Sequence, residues 1–300
     1  MLPIFYSIGM LIVLPASFII SLWKAAFKSK LEWLLDSLVT ATLIVWLFQA
    51  GNWSWVGYYV RFLWLALLIV TFIFSWKRVR NLPFTTKYTL SQKFSIGIYI
   101  VLILVFGTYN ALVVKSYTVT EKGIELSFPL KDGTYYVGQG GNQVLMNYHQ
   151  AYPGQKYALD ILKLNTLGTR ASGLYPEQLD KYQIFADDLY SPCNGKVVNI
   201  QNDLPDLTPP KSNPENPEGN HVTLSCENHD ATVLLAHMKK GSVVVAQGDK
   251  VTTGQILGKV GNSGNTSEPH LHIHAEKDGK GVPITFNDRF LVRNSLVRSY

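Results

Sequence analysis

Three histidines stand at alternate positions near the C-terminal end of the chain. His270, His272 and His274 fall in residues 269–275, just after a turn rich in glycine, asparagine and serine. Successive side chains of a β-strand point to opposite faces, so these three imidazoles would share one face. Imidazole fits poorly in an apolar core and is a common zinc ligand. The spacing therefore predicts a zinc site whose remaining ligands lie elsewhere in the chain.

A single aspartate is a candidate for one of those ligands. Asp160 stands among apolar residues in 157–162, as expected for a buried strand that directs one polar side chain into a cleft. The alternative is that Asp160 caps a turn at the end of that strand. A catalytic zinc usually takes three protein ligands and leaves a fourth position for water. All seven histidines lie after residue 148, in the same part of the chain as this carboxylate.

The hydrophobic pattern divides the chain into two parts. Only 16% of its residues are charged, against roughly 25% in ordinary soluble domains, and the deficit falls in residues 1–115. Four apolar runs there approach the ~20 residues that cross a bilayer. A removed signal peptide is the alternative for the first run, but no basic segment precedes it. We predict transmembrane helices at residues 2–23, 31–50, 53–76 and 94–114.

The basic residues of the connecting loops predict an orientation. Loops rich in lysine and arginine stay in the cytoplasm. With four spans, the N-terminus and residues 116–300 would then both lie outside, in a multi-pass protein of the cell membrane. The basic residues are Lys24, Lys28 and Lys30 after the first run, and Lys77, Arg78, Arg80, Lys87 and Lys93 after the third.

Three charged residues fall within or near the predicted spans. Glu32, Asp36 and Arg61 lie close enough to the ends of their runs for their side chains to snorkel to an interface. They therefore predict no transport pathway. The net charge of +6 partly reflects the cytoplasmic loops, and no nucleic-acid motif accompanies it, so nucleic acid is not an expected partner.

The second part, residues 116–300, is predicted to be an extracytoplasmic all-β domain. Short alternating segments separated by Gly, Asn and Pro turns indicate an antiparallel sheet that is sandwich-like, the alternative being a partly open barrel. Residues 202–219 differ, because five prolines in this stretch exclude a strand. We expect a long loop there, acting as a flap beside the site.

Several blocks of the second part together resemble one family. They appear in order and with familiar spacing, which makes the set far more specific than a lone His-x-His. The set is similar to the lysostaphin/LytM-type zinc metallopeptidases, many of which cut peptide cross-links in bacterial cell walls. The blocks are residues 219–224 (GNHVTL), 235–238 (LAHM), 248–258 (GDKVTTGQILG), 261–266 (GNSGNT) and 270–272 (HLH).

The resemblance implies a role for each of five residues. His149, Asp160 and His272 correspond to the ligands of one catalytic zinc ion. His237 and His270 correspond to the histidine pair that activates the attacking water and steadies the developing oxyanion. The chemistry agrees, because zinc lowers the pKa of bound water from 15.7 to about 7 and a nearby imidazole can move the proton.

Two positions depart from the family pattern. The family motif is His-x-x-x-Asp, whereas ten residues separate His149 from Asp160. Because this insertion contains Pro153-Gly154, we expect it to fold back like a hairpin and return both side chains to one metal. His274 stands where the family often has an acid. It is a candidate contact for a metal ligand or for substrate, the alternative being a polar strand residue satisfied by a neighbour.

The two cysteines predict a disulfide. Cys193 and Cys226 both lie in the part expected outside the cell, where an oxidising compartment permits the bond. Pairing would close a loop that carries residues 202–219. In the chain-entropy model such a closure favours the folded state by roughly 3–4 kcal/mol.

The apolar runs and the resemblance together imply a membrane-anchored zinc metalloendopeptidase that hydrolyses peptide bonds. The expected substrate is peptidoglycan, in its cross-links or stem peptides, and the expected partners are that polymer or another peptide and the lipid bilayer. Two alternatives stay open from the sequence: a non-catalytic peptidoglycan-binding or regulatory scaffold, and a peptidase acting on extracytoplasmic proteins. A sensory role of the four helices is also open.

Overall fold

A computed structural model describes residues 2–299. The chain divides into two compact units, with the boundary between Val114 and Lys115. The first is a helical unit, and the second, called the β-domain below, is built mainly from antiparallel strands. The predicted fold class, apolar helices followed by an antiparallel β domain, is confirmed.

Four helical segments of the first unit are long and apolar enough to cross a membrane. The first of them contains a π-helical segment, Gly9–Val13, which connects two α-helices without a break. The α-helices are α1 (Leu2–Ile8), α2 (Leu14–Lys24), α3 (Lys30–Ala50), α4 (Val60–Val79) and α5 (Leu90–Lys115).

Two helix starts differ from the predicted ones. The third apolar run begins at Trp53, but α4 begins only at Val60, because Gly57 has φ of 108° and interrupts the helix. Trp53 packs in the interior instead, and its indole N–H donates to the carbonyl of Leu47 at 2.8 Å. At α5 the helix starts earlier than predicted, since Thr89 and Gln92 form a reciprocal capping box.

The charged residues of the helical unit were expected to snorkel, and two of them do not. Arg61 is buried, with its guanidinium 4.1 Å from the ring centre of Tyr58 and 4.5 Å from that of Phe48. Asp36 is also buried and accepts a hydrogen bond from Thr40 at 3.5 Å. Aromatic faces replace water around the Arg61 cation, which is why its burial inside the helices is tolerated.

The main sheet of the β-domain has nine strands. Its order is β14-β2-β3-β10-β7-β6-β5-β8, with β11 paired to β10, and its pairs are antiparallel. Strands β1, β12 and β13 form a small sheet, and β4 pairs with β9. The strands are β1 (Ile124–Glu125), β2 (Gly133–Gln139), β3 (Leu159–Leu164), β4 (Asp188–Tyr190), β5 (Gly195–Gln201), β6 (Asn220–Cys226), β7 (Thr232–Met238), β8 (Lys250–Val251), β9 (Ile256–Lys259), β10 (Leu271–Lys277), β11 (Lys280–Val282), β12 (Ile284–Phe286), β13 (Arg289–Phe290) and β14 (Leu296–Ser299).

Strand β10 lies at the centre of this sheet, between β3 and β7. Its register pairs His272 with Asp160 on one side and with Ala236 on the other. Leu271 and Ile273 are fully buried in the hydrophobic core, so the alternation of the strand leaves His272 on the opposite face. The core thus fixes where the histidine face of β10 lies.

Cys193 and Cys226 are joined by a disulfide in the β-domain. The bond ties the start of β5 to the end of β6, next to the register pair Gly195 and Cys226. The loop that it closes contains residues 202–219, which form neither helix nor strand.

Candidate metal and catalytic site

Three side chains converge at the centre of the main sheet. His149 Nε2 and His272 Nδ1 each lie 3.0 Å from Asp160 Oδ1. All three residues are at least nine-tenths buried, and one ligand atom from each falls within 4.8 Å of the others. The structure therefore brings together the three residues that the sequence predicted as metal ligands.

Two of these side chains stand on paired strands and the third stands on a short turn. Asp160 and His272 are register partners on β3 and β10. His149 lies in a 3-10 turn, Tyr148–Ala151, where its backbone N–H donates to the side-chain oxygen of Asn147. The amide of Asn147 also donates to the carbonyl of Ala158 at 3.1 Å, so one buried side chain connects the two ends of the insertion.

The insertion between His149 and Asp160 does not form the expected hairpin-like turn. It consists of two 3-10 turns, Tyr148–Ala151 and Pro153–Gln155, and makes no strand pair before β3. Pro153 occupies the start of the second turn, a position where a missing N–H costs nothing. The chain still returns both side chains to one point, because Asn147 holds it there.

The donor set fits a zinc ion. Two imidazole nitrogens and one carboxylate oxygen face one point, which is the ligand chemistry that zinc prefers. Burial opposes the charge of Asp160, but the neighbouring His149 and His270 outweigh it and hold the pKa of Asp160 well below its ordinary value. The carboxylate therefore stays ionised, which is the form in which a carboxylate binds a metal ion.

His274 contacts the predicted metal ligand His272 directly. His272 Nε2 and His274 Nδ1 are 2.9 Å apart. Burial lowers the pKa of His274 to about 3, with a further contribution from His272 and His149, so His274 is neutral. The arrangement suits an Nε2–H of His272 that donates to His274 and leaves Nδ1 of His272 directed at Asp160.

His237, the penultimate residue of β7, has a strained backbone conformation. Its φ of 60° is unusual for a side chain of this size, and its backbone N–H donates to the carbonyl of Glu218 at 3.0 Å. Its Nδ1 lies 2.9 Å from the carbonyl of Ser263, which makes Nδ1 the donor and leaves Nε2 as a base. Burial holds the pKa of His237 well below its ordinary value, so the ring is neutral.

His270 differs from His237 in that its pKa is raised and it can act as a hydrogen-bond donor. Its Nδ1 donates to the carbonyl of Glu268 at 2.8 Å, and its Nε2 lies 3.5 Å from Asp160 Oδ1. Burial lowers its pKa, but the charge of Asp160 outweighs burial and the pKa of His270 is raised. The rings of His237 and His270 are 4.8 Å apart between centroids, so a base and a donor stand side by side.

Sequence reasoning missed the ion pair that supports His270. Arg170 is 3% exposed and its Nη1 lies 2.5 Å from Glu268 Oε1. The carbonyl of the same Glu268 orients His270, and the hydroxyl of Thr266 lies 2.8 Å from that carbonyl. Glu268 could have been found from the sequence, since it directly precedes Pro269-His270. Arg170 could not, because it lies 98 positions away from Glu268.

The remaining histidines lie outside this cluster. His221 Nδ1 donates to the carbonyl of Gly219 at 2.9 Å and its Nε2 accepts from the amide of Asn199, so its role is structural. His229 lines a separate polar pocket with Glu227 and Asn228.

A cleft of about 300 Å³ opens beside the site. His149, His237 and His272 line it together with Tyr148 and Tyr152. Its rim also contains Pro217 and Glu218, so the predicted flap forms one wall of the cleft.

Residues 202–219 are held firmly to the domain. The carboxylate of Asp206 accepts from the backbone N–H of Asn262 at 2.7 Å. Leu207 and Asn213 donate to the backbone carbonyls of Asn262 and Gly264. This loop is therefore a fixed part of the cleft in the structure.

Residues 184–284 match the model of Peptidase family M23. The chain therefore carries a peptidase M23 domain. The matched segment includes His237, His270 and His272 but neither His149 nor Asp160. The fold brings those two residues to His272, by way of β3 and the turn before it. A search of curated proteins finds no match.

Several solved structures are similar to this chain. One is a zinc-containing peptidase from Vibrio cholerae, with 17% identity over 54% of this chain and 39% of that one, and a TM-score of 0.33. A putative M23 peptidase from Pseudomonas aeruginosa gives 16% identity, 60% and 57% coverage, and a TM-score of 0.32. The catalytic domain of lysostaphin from Staphylococcus simulans gives 22%, 35% and 75%, and 0.23. The chain spans less than two thirds of the first two structures.

Proposed function

We propose that the chain is a membrane-anchored zinc metalloendopeptidase. The observation that carries the proposal is the convergence of His149, Asp160 and His272, with the imidazoles of His237 and His270 beside them at one cleft. Three donors would hold one zinc ion and leave a position for water. The M23 match supports a peptidase.

His149, Asp160 and His272 would hold the ion, and bound zinc supplies Lewis-acid chemistry that polarises the scissile carbonyl and acidifies water. His237, neutral and with a free Nε2, takes the proton of the attacking water and passes it to the leaving amine. His270, whose Nε2 faces the same space, donates a hydrogen bond to the oxyanion that forms on the substrate.

The proposed substrate is a peptide bond of peptidoglycan, in a cross-link or a stem peptide. The resemblance to cell-wall peptidases and the M23 match favour this polymer over other peptides. The helical unit would anchor the enzyme, and its basic loops would keep the β-domain on the outer side of the membrane. Such an anchor restricts cleavage to the wall nearest the membrane.

The function is tested with the full-length protein in detergent and purified peptidoglycan. New amino groups are counted with zinc, with chelator, and for His272→Ala, while the bound metal is quantified. His229→Ala is the matched control, because that histidine lies away from the cleft. We expect release that needs both zinc and His272. Stoichiometric zinc without release would point to a protein substrate, and absence of zinc would point to a non-catalytic scaffold.

The orientation has its own test. A reporter joined after Tyr300 should be active only when it is exported. A reporter that works in the cytoplasm alone would contradict the proposed topology.

A further inference from the structure

Glu218 is the one formally charged residue among the described residues that line the cleft, Asp160 lying beneath it. Its side chain is 42% exposed, so the carboxylate is shielded from part of the solvent and open to the cleft. An acid in this place supplies a local negative charge at the wall of the cleft, which a cationic substrate group would complement.

Within residues 2–299, no lysine or arginine side chain forms an ion pair with this carboxylate. The nearest ionisable nitrogen is Nδ1 of His221, at 3.7 Å. That nitrogen lies closer to the carbonyl of Gly219, at 2.9 Å, and the other ring nitrogen meets Asn199. His221 is thus engaged with the backbone, and Glu218 is left available.

The backbone holds Glu218 in a fixed place. Its carbonyl accepts the N–H of His237, which ties it to the catalytic histidine. The next residue, Gly219, has φ of 61° and packs so closely against Ser263 that a Cβ would not fit. The position of Glu218 is therefore set together with the site and not by a freely moving loop.

Two tyrosines contribute aromatic surface to the same cleft. Tyr148 and Tyr152 are 48% and 55% exposed, and their rings meet edge to face with centroids 6.3 Å apart. Tyr148 also stacks on the ligand His149, with centroids 4.1 Å apart. Aromatic faces attract cations, and a carboxylate in the same cleft adds to the attraction.

We propose that Glu218, with Tyr148 and Tyr152, forms a subsite for a primary ammonium group of the peptide substrate. The subsite selects peptides that carry a free amine near the bond to be cut. The inference rests on the proposed function for its catalytic consequence, but binding tests it separately.

Binding is measured by co-sedimentation of the zinc-loaded, full-length protein in detergent with insoluble peptidoglycan. One preparation keeps its free amino groups, and the other has them N-acetylated. The variants are Glu218→Gln and the matched control Glu215→Gln, which removes the same charge from an exposed position of the same loop. Both preparations are tested at low and high salt.

We expect the wild type to bind the free-amine polymer about fivefold to tenfold more tightly than the acetylated one. Glu218→Gln should abolish that preference, and Glu215→Gln should retain it. High salt should reduce the preference, because the contact is an ion pair at a partly exposed position.

Three results would overturn the inference: no amine preference in the wild type, an unchanged preference in Glu218→Gln, or no binding to either polymer. Failure of the proposed function looks different. In that case neither polymer is cut, although binding still depends on the amine and on Glu218.

Discussion

Two of the three proposed zinc ligands stand on paired strands, whereas the third stands on a short turn. Asp160 and His272 face each other across the β3–β10 ladder, so the strand register fixes their separation. His149 depends instead on the side chain of Asn147. The difference explains how the long insertion between His149 and Asp160 is accommodated. The strand pair fixes the positions of Asp160 and His272, and the turn has only to bring His149 back to them.

Removing a strand-held ligand should have the largest effect. His272→Ala deletes one of three donors and also the partner of His274, so we expect stoichiometric zinc and peptidase activity to be lost together. Metal analysis of the purified variant checks this. His229→Ala should retain both, and a His272→Ala protein that keeps tight zinc would contradict the ligand assignment.

Removing the ion pair that supports His270 should reduce the stability of the β-domain more than it reduces zinc binding. Arg170→Met leaves the carboxylate of Glu268 without its buried partner, at an expected cost of about 3 kcal/mol. Hydrogen exchange of the β-domain measures this cost. The double variant Arg170→Met with Glu268→Gln should recover part of it, since no uncompensated charge remains. Equal losses in the single and double variants would show that the pair is not coupled.

Removing the turn's support should weaken zinc binding without deleting a ligand. Asn147→Ala loses the hydrogen bonds that hold His149, so we expect a zinc affinity about 10–100-fold lower. Competition with a chromogenic chelator measures it. Asn216→Ala, an exposed asparagine of the cleft loop, is the control. Unchanged affinity in Asn147→Ala would mean that the turn holds itself without this side chain.

Acid should destabilise the metal-free β-domain through His274. Its folded pKa of about 3 lies below the ordinary value of 6.5, so the unfolded chain binds the proton first as the pH falls. The contribution of His274 to stability is present above pH 6.5 and lost progressively towards pH 3, by about 2 kcal/mol at pH 5.

The control for this pH effect is a variant at position 274. His274→Gln cannot titrate, so hydrogen exchange of the chelated variant should show a weaker loss of stability between pH 7.5 and pH 5. Parallel losses in the wild type and the variant would exclude His274 as the source.

Local patterns and the family resemblance together predicted the parts of the site that depend on local structure. The alternation of His270, His272 and His274 follows from the two-residue period of a strand, and Asp160 stood out as one acid in an apolar run. The apolar runs likewise predicted the helices, because length and composition suffice for that purpose.

The contacts that support the site could not be predicted in the same way. Arg170 meets Glu268 across 98 positions, and only the folded chain brings them together. Asn147 acts through three backbone carbonyls and one backbone N–H, and contacts to backbone groups cannot be recognised from residue types. The burial of Arg61 was missed because its place near the end of an apolar run favoured a side chain that snorkels to an interface, whereas aromatic rings surround it in the structure.

The central position of β10 has a consequence for how the sequence of this protein can diversify. One face of the strand fills the core with Leu271 and Ile273, and the other carries His272 and His274. Almost every substitution there would disturb folding or chemistry, so the strand has little freedom to vary over time. Residues 202–219 reach the same cleft from outside the sheet. We expect changes of substrate preference among descendants of this chain to accumulate in that loop, while β10 stays the same.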